Sequence, residues 1–253
     1  MKSTERFTNR VANYHLYRPS YAEAFLHDLK GLLKLSSEAR IADIGSGTGI
    51  LSRQLLEAGW QAIGIEPNDA MRQRAEKQLG AYSQFRSLKG TAENTSLEAN
   101  SIDTIVAAQA FHWFEPEVAR QEFLRILKPG RKVVLVWNIR QHSTDFLKAY
   151  EDFLHQYATD YQLVDHQRFD WEGIARFFRN QYQRKEALNP QMMDWQKLWG
   201  YYQSCSYALP EKHPNFTQSK IALKKIFDIH AKHGQINMLY HTIWYIGSME
   251  TPS

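Results

Sequence analysis

The nine residues Ile41-Ala42-Asp43-Ile44-Gly45-Ser46-Gly47-Thr48-Gly49 constrain this chain more than any other stretch. A short apolar run reads as a buried strand, and the three glycines that follow remove the side chains that would hold a ligand off the backbone and permit positive φ. A helix comes next, with Leu51, Leu55 and Ala58 on one stripe and Gly59 as its C-cap. Strand, glycine turn and helix together make a cradle of the nucleotide-binding type. The third glycine of the pyrophosphate fingerprint Gly-x-Gly-x-x-Gly would fall at Ile50, and a carboxylate at Asp43 would repel a pyrophosphate. NAD and FAD are therefore disfavoured, and a ligand carrying an amine suits that corner better.

A second strand, Ala62-Ile63-Gly64-Ile65, stops at Glu66, 17 positions beyond Gly49. An acid at that strand end accepts both hydroxyls of a ribose, so an adenosine without phosphate fits. On these residues the chain resembles the class I methyltransferases that use S-adenosylmethionine, whose first motif is a strand ending in Asp-x-Gly-x-Gly-x-Gly. The resemblance implies an α/β fold, a Rossmann-like doubly wound sheet of seven strands whose last strand is antiparallel. It implies that Asp43 lies near the methionine amine and that Gly45, Ser46, Gly47 and Gly49 line the cofactor. Glu66 and Pro67 would sit at the ribose and Met71 at the border of the adenine.

The order of the later segments follows the same pattern. A helix is expected over Asp69 to Leu79, then a strand around Gln84 to Leu88 leading to Gly90-Thr91-Ala92-Glu93. The resemblance places Ala92 and Glu93 at the adenine. A fourth strand, 101–108, runs into Gln109-Ala110-Phe111-His112-Trp113-Phe114, where Gln109 is a further cofactor candidate. A helix from Glu117 to Leu127, with Val118, Phe123, Ile126 and Leu127 apolar, and the turn Lys128-Pro129-Gly130 precede a fifth strand from Val133 to Trp137.

Upstream, Ser20-Tyr21-Ala22-Glu23 reads as a capping box for a helix striped with Phe25, Leu26 and Leu29. Before it, Tyr14-His15-Leu16-Tyr17-Arg18-Pro19 is similar to the opening of the trans-aconitate-methyltransferase-like branch, where this segment folds over the cofactor. Tyr14 and Arg18 are the candidates there. Downstream, Phe146, Tyr150, Phe153 and Tyr157 stripe one helix, Trp171 to Phe178 suggests a second and Trp195 to Tyr202 a third. Gln181 to Leu188 reads as strand six, Ile221 to Ile229 as a helix, and the β-branched and aromatic run Ile236 to Gly247 as strand seven. The expected organisation is one domain: a flap and helix over 1–35, a core over 36–140 and 236–247, and a mainly helical cap with strand six over 141–235.

Composition narrows the function classes. Cys205 is the only cysteine, so neither an internal disulfide nor a cysteine metal site is available, and His230 and His233 close a helix rather than hold a metal. No apolar run is long enough to span a membrane, and the start is not a signal peptide, so a cytoplasmic protein without a membrane partner is expected. A net charge of +4 gives nucleic-acid binding little support. A monomer or homodimer is expected.

The expected activity is in-line methyl transfer from S-adenosylmethionine to a small-molecule acceptor, leaving S-adenosylhomocysteine. His112 is the candidate base. Trp113, Trp137, Asn138, Ser206 and Tyr207 are the candidate pocket walls, and Arg18, Arg140 or His142 would position a carboxylate. Two rivals share the fold: a nucleic-acid methyltransferase, whose Asn/Asp-Pro-Pro-Tyr/Phe motif is replaced here by Gln109-Ala110-Phe111-His112, and a non-catalytic S-adenosylmethionine-binding protein.

Overall fold

The computed structural model describes residues 16–34, 36, 38–159, 161 and 171–249. Its elements, in chain order, are α1 (Glu23–Leu33), β1 (Arg40–Ile44), α2 (Ile50–Glu57), β2 (Gln61–Ile65), α3 (Asp69–Leu79), β3 (Phe85–Leu88) and β4 (Ile102–Ala108). Then come a 3-10 turn (Phe111–Trp113), α4 (Pro116–Ile126), β5 (Leu127–Arg140), α5 (Asp145–Tyr157), α6 (Trp171–Phe177), β6 (Tyr182–Met193), α7 (Trp195–Ser204), α8 (Phe216–His230) and β7 (Ile236–Ser248).

The seven strands form one sheet in the order β3-β2-β1-β4-β5-β7-β6. The first five are parallel, and β7 runs antiparallel to both β5 and β6. The expected doubly wound sheet with an antiparallel last strand is thus found. Strand order reverses between β1 and β4, and the crevice at that reversal is where open α/β sheets take ligands.

Alternation along the long strands builds the two faces. Val133, Leu135 and Trp137 of β5 join Ile243 and Tyr245 of β7 in one apolar layer. Val134 and Val136 join Trp244 and Ile246 in the other, as a period of two requires. Helices α1 and α2 cover the second layer through Phe25, Leu29, Leu51 and Leu55. Helix α4 covers the first through Ala119, Phe123 and Ile126. Val118, apolar like those residues, faces outward and is 49% exposed.

Three local expectations change on folding. The capping box at Ser20 does not form: α1 has Ala22 as N-cap with no side-chain bond. Distant side chains serve instead, Gln54 Oε1 accepting from the Tyr21 N–H (2.9 Å) and Thr242 Oγ1 from the Ala22 N–H (3.0 Å). The Lys128-Pro129-Gly130 turn is absorbed into a longer β5 as a bulge: Ile102 pairs with Leu127 but Thr104 with Lys132. Asp103 fastens the bulge by accepting from Lys128 Nζ at 2.8 Å.

The third departure concerns the segment expected as a cap. Helices α5, α7 and α8 pack with Met238 and Tyr240 of β7 in a separate apolar cluster that includes Tyr150, Phe153, Leu198, Tyr202 and Leu223. Helix α6 does not join them. Its Ile174 and Phe177 lie in the first sheet layer, the Phe177 ring 4.9 Å from that of Phe111. No described helix is long and apolar enough to cross a membrane.

Candidate active site

At the strand reversal lies a cavity of about 350 Å³. The glycine turn after β1 forms its floor. The N–H groups of Gly45 and Ser46 both donate to the Ile65 carbonyl (2.8 and 3.1 Å), which draws the turn over the end of β2. Gly45 has φ +70°, and a Cβ there would lie 2.6 Å from Ala110 Cβ, so only glycine fits between the turn and the exit of β4. Gly45 and Gly47 line the cavity, whereas Gly49 and Ser46 do not. At Gly49 a Cβ would meet Leu79 Cδ1 at 2.7 Å, so that glycine serves helix packing; Ser46 Oγ turns toward Gly64 of β2.

Glu66, 8% exposed, lines the cavity and closes the turn. Its Oε2 accepts from the Gly47 N–H (2.9 Å) and its Oε1 from the Asn68 N–H (2.8 Å). Burial pushes its pKa up, and those two bonds counter part of the rise. Each oxygen keeps a lone pair for a further donor. Asn68, at the N-terminal cap of α3, in turn accepts from the Met71 N–H (3.0 Å), setting Met71 on the wall.

Asp43 sits behind the turn, fully buried and outside the cavity lining. Its Oδ2 accepts from Ser52 Oγ at 2.7 Å, and its Oδ1 has no hydrogen-bond partner. Desolvation raises its pKa to about 7 against the pull of Ser52, with the Glu66 charge adding to the rise.

Pro67, Ala92, Glu93 and Gln109 also line the cavity. Glu93 Oε1 accepts from the Glu115 N–H at 2.9 Å. Gln109, at the end of β4, takes φ +56°, a strained value held by its N–H to the Val136 carbonyl (2.9 Å) and its Nε2 to the Asn138 carbonyl (3.1 Å).

The opposite wall carries His112, Trp113, Ser206 and Tyr207. His112 opens onto the cavity, its ring 4.7 Å from that of Trp113. The mass of the surrounding walls drives its pKa down to about 4. Part of the residue stays open to solvent, and the lowered pKa leaves the imidazole neutral at pH 7. Arg18 also lines the cavity; its Nη2 donates to the Ser204 carbonyl (3.4 Å), and the guanidinium lies 5.6 Å from the centre of the Tyr201 ring. Tyr14 lies outside the described residues.

Several nominated residues have other work. Trp137 is 2% exposed and faces the first sheet layer, against Phe111 and Tyr245, so it is not a pocket wall. Asn138 touches the cavity, but its amide is committed: Nδ2 donates to the Ser20 carbonyl (3.1 Å), and Oδ1 accepts from Thr242 Oγ1 (2.6 Å) and Asn189 Nδ2 (3.1 Å). Asn189 Nδ2 also reaches the Ser20 carbonyl at 2.7 Å. Strands β5, β6 and β7 thus clasp the backbone just after Arg18 and Pro19. Arg140 is buried against Glu151 (2.5 Å) and Tyr161 (2.6 Å), beside the Tyr150 ring, and does not line the cavity. His142 lies 3.6 Å from that same Glu151.

The sequence reading missed Pro19, Tyr21, Ile50, Asn68, Tyr201 and Tyr240, all of which line the cavity. Asn68 carried a signal, an N-cap residue type just before the α3 pattern. Tyr201 and Tyr240 carried none, because only the folding of α7 and β7 over the crevice brings them there. Among the described residues no group of His, Cys, Asp and Glu could hold a metal ion.

Residues 42–135 match the family described as "Methyltransferase domain". An uncharacterized methyltransferase of Mycobacterium tuberculosis is 34% identical over 142 residues, 56% of each chain. One from Schizosaccharomyces pombe is 28% identical over 148 residues, 58% of each. The chain thus spans little more than half the length of these curated relatives. Among solved structures, a candidate type II methyltransferase from Anaeromyxobacter dehalogenans superposes with a TM-score of 0.66 at 16% identity, covering 92% of this chain and 98% of that one. The phosphoethanolamine N-methyltransferase 2 of Haemonchus contortus, solved with S-adenosyl-L-methionine, gives 0.56 at 17%, covering 98% and 58%. At these identities the likeness is one of fold.

Proposed function

We propose that this chain, whose residues 42–135 carry a methyltransferase domain, transfers the methyl group of S-adenosylmethionine to a small-molecule acceptor and leaves S-adenosylhomocysteine. The observation that carries the proposal is the pair of acids at the strand reversal. Glu66 presents a carboxylate fixed by two backbone N–H groups, and Asp43 holds a buried oxygen with no partner. A buried carboxylate oxygen without a donor is costly, and an ammonium group in the cavity answers it across the turn, through water or through its field. A ligand with an amine at one end and a ribose at the other fits both acids.

When bound, S-adenosylmethionine supplies an electrophilic methyl on a positively charged sulfur. The chain's own residues then bind, align and exclude water. Glu66 takes the ribose hydroxyls, Gly45 and Gly47 let the backbone approach, and Pro67, Met71, Ala92, Glu93 and Gln109 surround the base and sugar. Asp43 acts on the amine from behind the turn. Arg18 closes the near side. His112, Trp113, Ser206 and Tyr207 form the acceptor wall, and their aromatic surface with a few polar tips suits a compact organic molecule.

His112 orients the acceptor through a neutral nitrogen, and the lowering of its pKa makes it a weak store for a proton. In-line displacement at a sulfonium needs alignment above all. Incubating the protein with methyl-labelled S-adenosylmethionine and a panel of small acids, phenols and amines, beside tRNA, DNA and folded protein, tests the reading. Label in a small molecule is the expected outcome. Label only in macromolecules, or cofactor binding with no transfer to any acceptor, overturns it.

A further inference from the structure

The outer face of α8 combines charge and exposed aliphatic surface in a way the candidate active site does not use. Ile221, Lys225 and Ile229 recur every four residues and so form one stripe, with Ile221 58% and Ile229 66% exposed. Lys220 and Lys224 form the adjoining stripe. The inward residues of the helix are Ser219, Leu223 and Phe227, so the isoleucines are not part of the core. Together with Trp195 of α7, these outward residues line a shallow groove.

Charge is concentrated here. From residue 211 to 234 the chain has five lysines against Glu211 and Asp228, which accounts for most of its net charge of +4. Lys224 is paired with Asp228, but Lys220 and Lys225 are exposed. Two ammonium groups lie over aromatic rings, Lys220 Nζ 5.6 Å from the centre of the Trp199 ring and Lys224 Nζ 5.7 Å from that of Trp195.

We propose that this face docks the protein on an anionic phospholipid bilayer, with Ile221 and Ile229 entering the headgroup boundary and Lys220 and Lys225 resting on the lipid phosphates. An amphipathic helix lying in the interface needs both elements, aliphatic side chains to insert and cations for the anionic surface. A nucleic acid uses the second but leaves protruding isoleucines in water, and no arginine lines the groove to grip phosphates in pairs. The docking is peripheral and reversible, and it departs from the sequence expectation of no membrane partner.

Co-sedimentation with vesicles tests this independently of any methyl transfer. The full chain should pellet with vesicles of phosphatidylcholine and phosphatidylglycerol in equal parts, and not with phosphatidylcholine alone, with binding that weakens as salt rises. The double change Ile221→Asn with Ile229→Asn should cut the bound fraction by about fivefold or more, and Lys220→Gln with Lys225→Gln should do the same. All four side chains are exposed, so the variants should melt at the wild-type temperature. Failure to pellet, equal binding to both vesicle types, or wild-type binding by either variant would overturn the proposal. Retention by RNA or by an acidic protein with no vesicle binding would overturn it as well.

Discussion

Replacing Asp43 with asparagine isolates the energetic cost of the buried acid. The amide keeps the shape of the side chain and an acceptor for Ser52 Oγ, but it carries no charge. In the folded chain burial raises the Asp43 pKa from 3.8 to about 7. Between those values the folded state holds a proton that the unfolded state has released, so folding stability falls as pH rises through that window. Each pH unit of it costs about 1.4 kcal/mol, and the full penalty above pH 7 reaches roughly 4 kcal/mol. The new amide N–H is itself unpartnered, an offset that does not change with pH. The diagnostic is therefore the slope: from pH 5 to pH 8 the stability of Asp43→Asn relative to wild type should rise by roughly 3 kcal/mol and level off near pH 7. Urea denaturation of the ligand-free proteins at several pH values reads it directly. A difference that stays constant across this range would refute the reasoning, because it would mean that the Asp43 carboxylate is solvated or paired in the folded chain.

Three further outcomes follow from the same geometry. His112→Ala should lower turnover by roughly tenfold through lost alignment, with S-adenosylhomocysteine affinity unchanged and a wild-type rate profile between pH 6 and 9; loss of a titrating limb in that profile would identify the imidazole as a base. Asn189→Ala removes the donor to the Ser20 carbonyl and should cost about 1–3 kcal/mol of stability in urea, with rescue by no residue lacking a side-chain N–H donor of similar length; full stability would show that Asn138 alone holds the clasp. Glu151→Ala leaves the Arg140 guanidinium buried without its counter-charge and should destabilise by about 3–5 kcal/mol in calorimetry, whereas a neutral result would mean that water or Tyr161 suffices.

Features set by local chemistry were legible in the sequence, and features set by distant packing were not. The glycine turn and the acid at the end of β2 declare themselves, because the residue types that let a backbone approach a ligand are few. Trp137 was nominated for its place at the end of β5, yet strand parity already aligned it with Val133 and Leu135, the buried layer. Arg140 reads from the sequence as a cation that could position a substrate, and the Glu151 that engages it lies on α5, one element away. The cap on α1 was misjudged for the same reason, since Gln54 and Thr242 arrive from α2 and β7 to do what Ser20 was expected to do. The direction of α6 followed from an apolar face that several surfaces could have covered, and the rings of Phe111 and Phe123 are the ones that do.

Calorimetric titration of S-adenosylhomocysteine into the wild-type chain and into Glu66→Ala tests the central claim most directly. The account predicts saturable one-to-one binding by the wild type and an affinity at least about tenfold weaker in the variant, near 1.4 kcal/mol, as the ribose hydroxyls lose their acceptor. Equal affinity in a variant that melts like the wild type, or no binding by either chain, would contradict it.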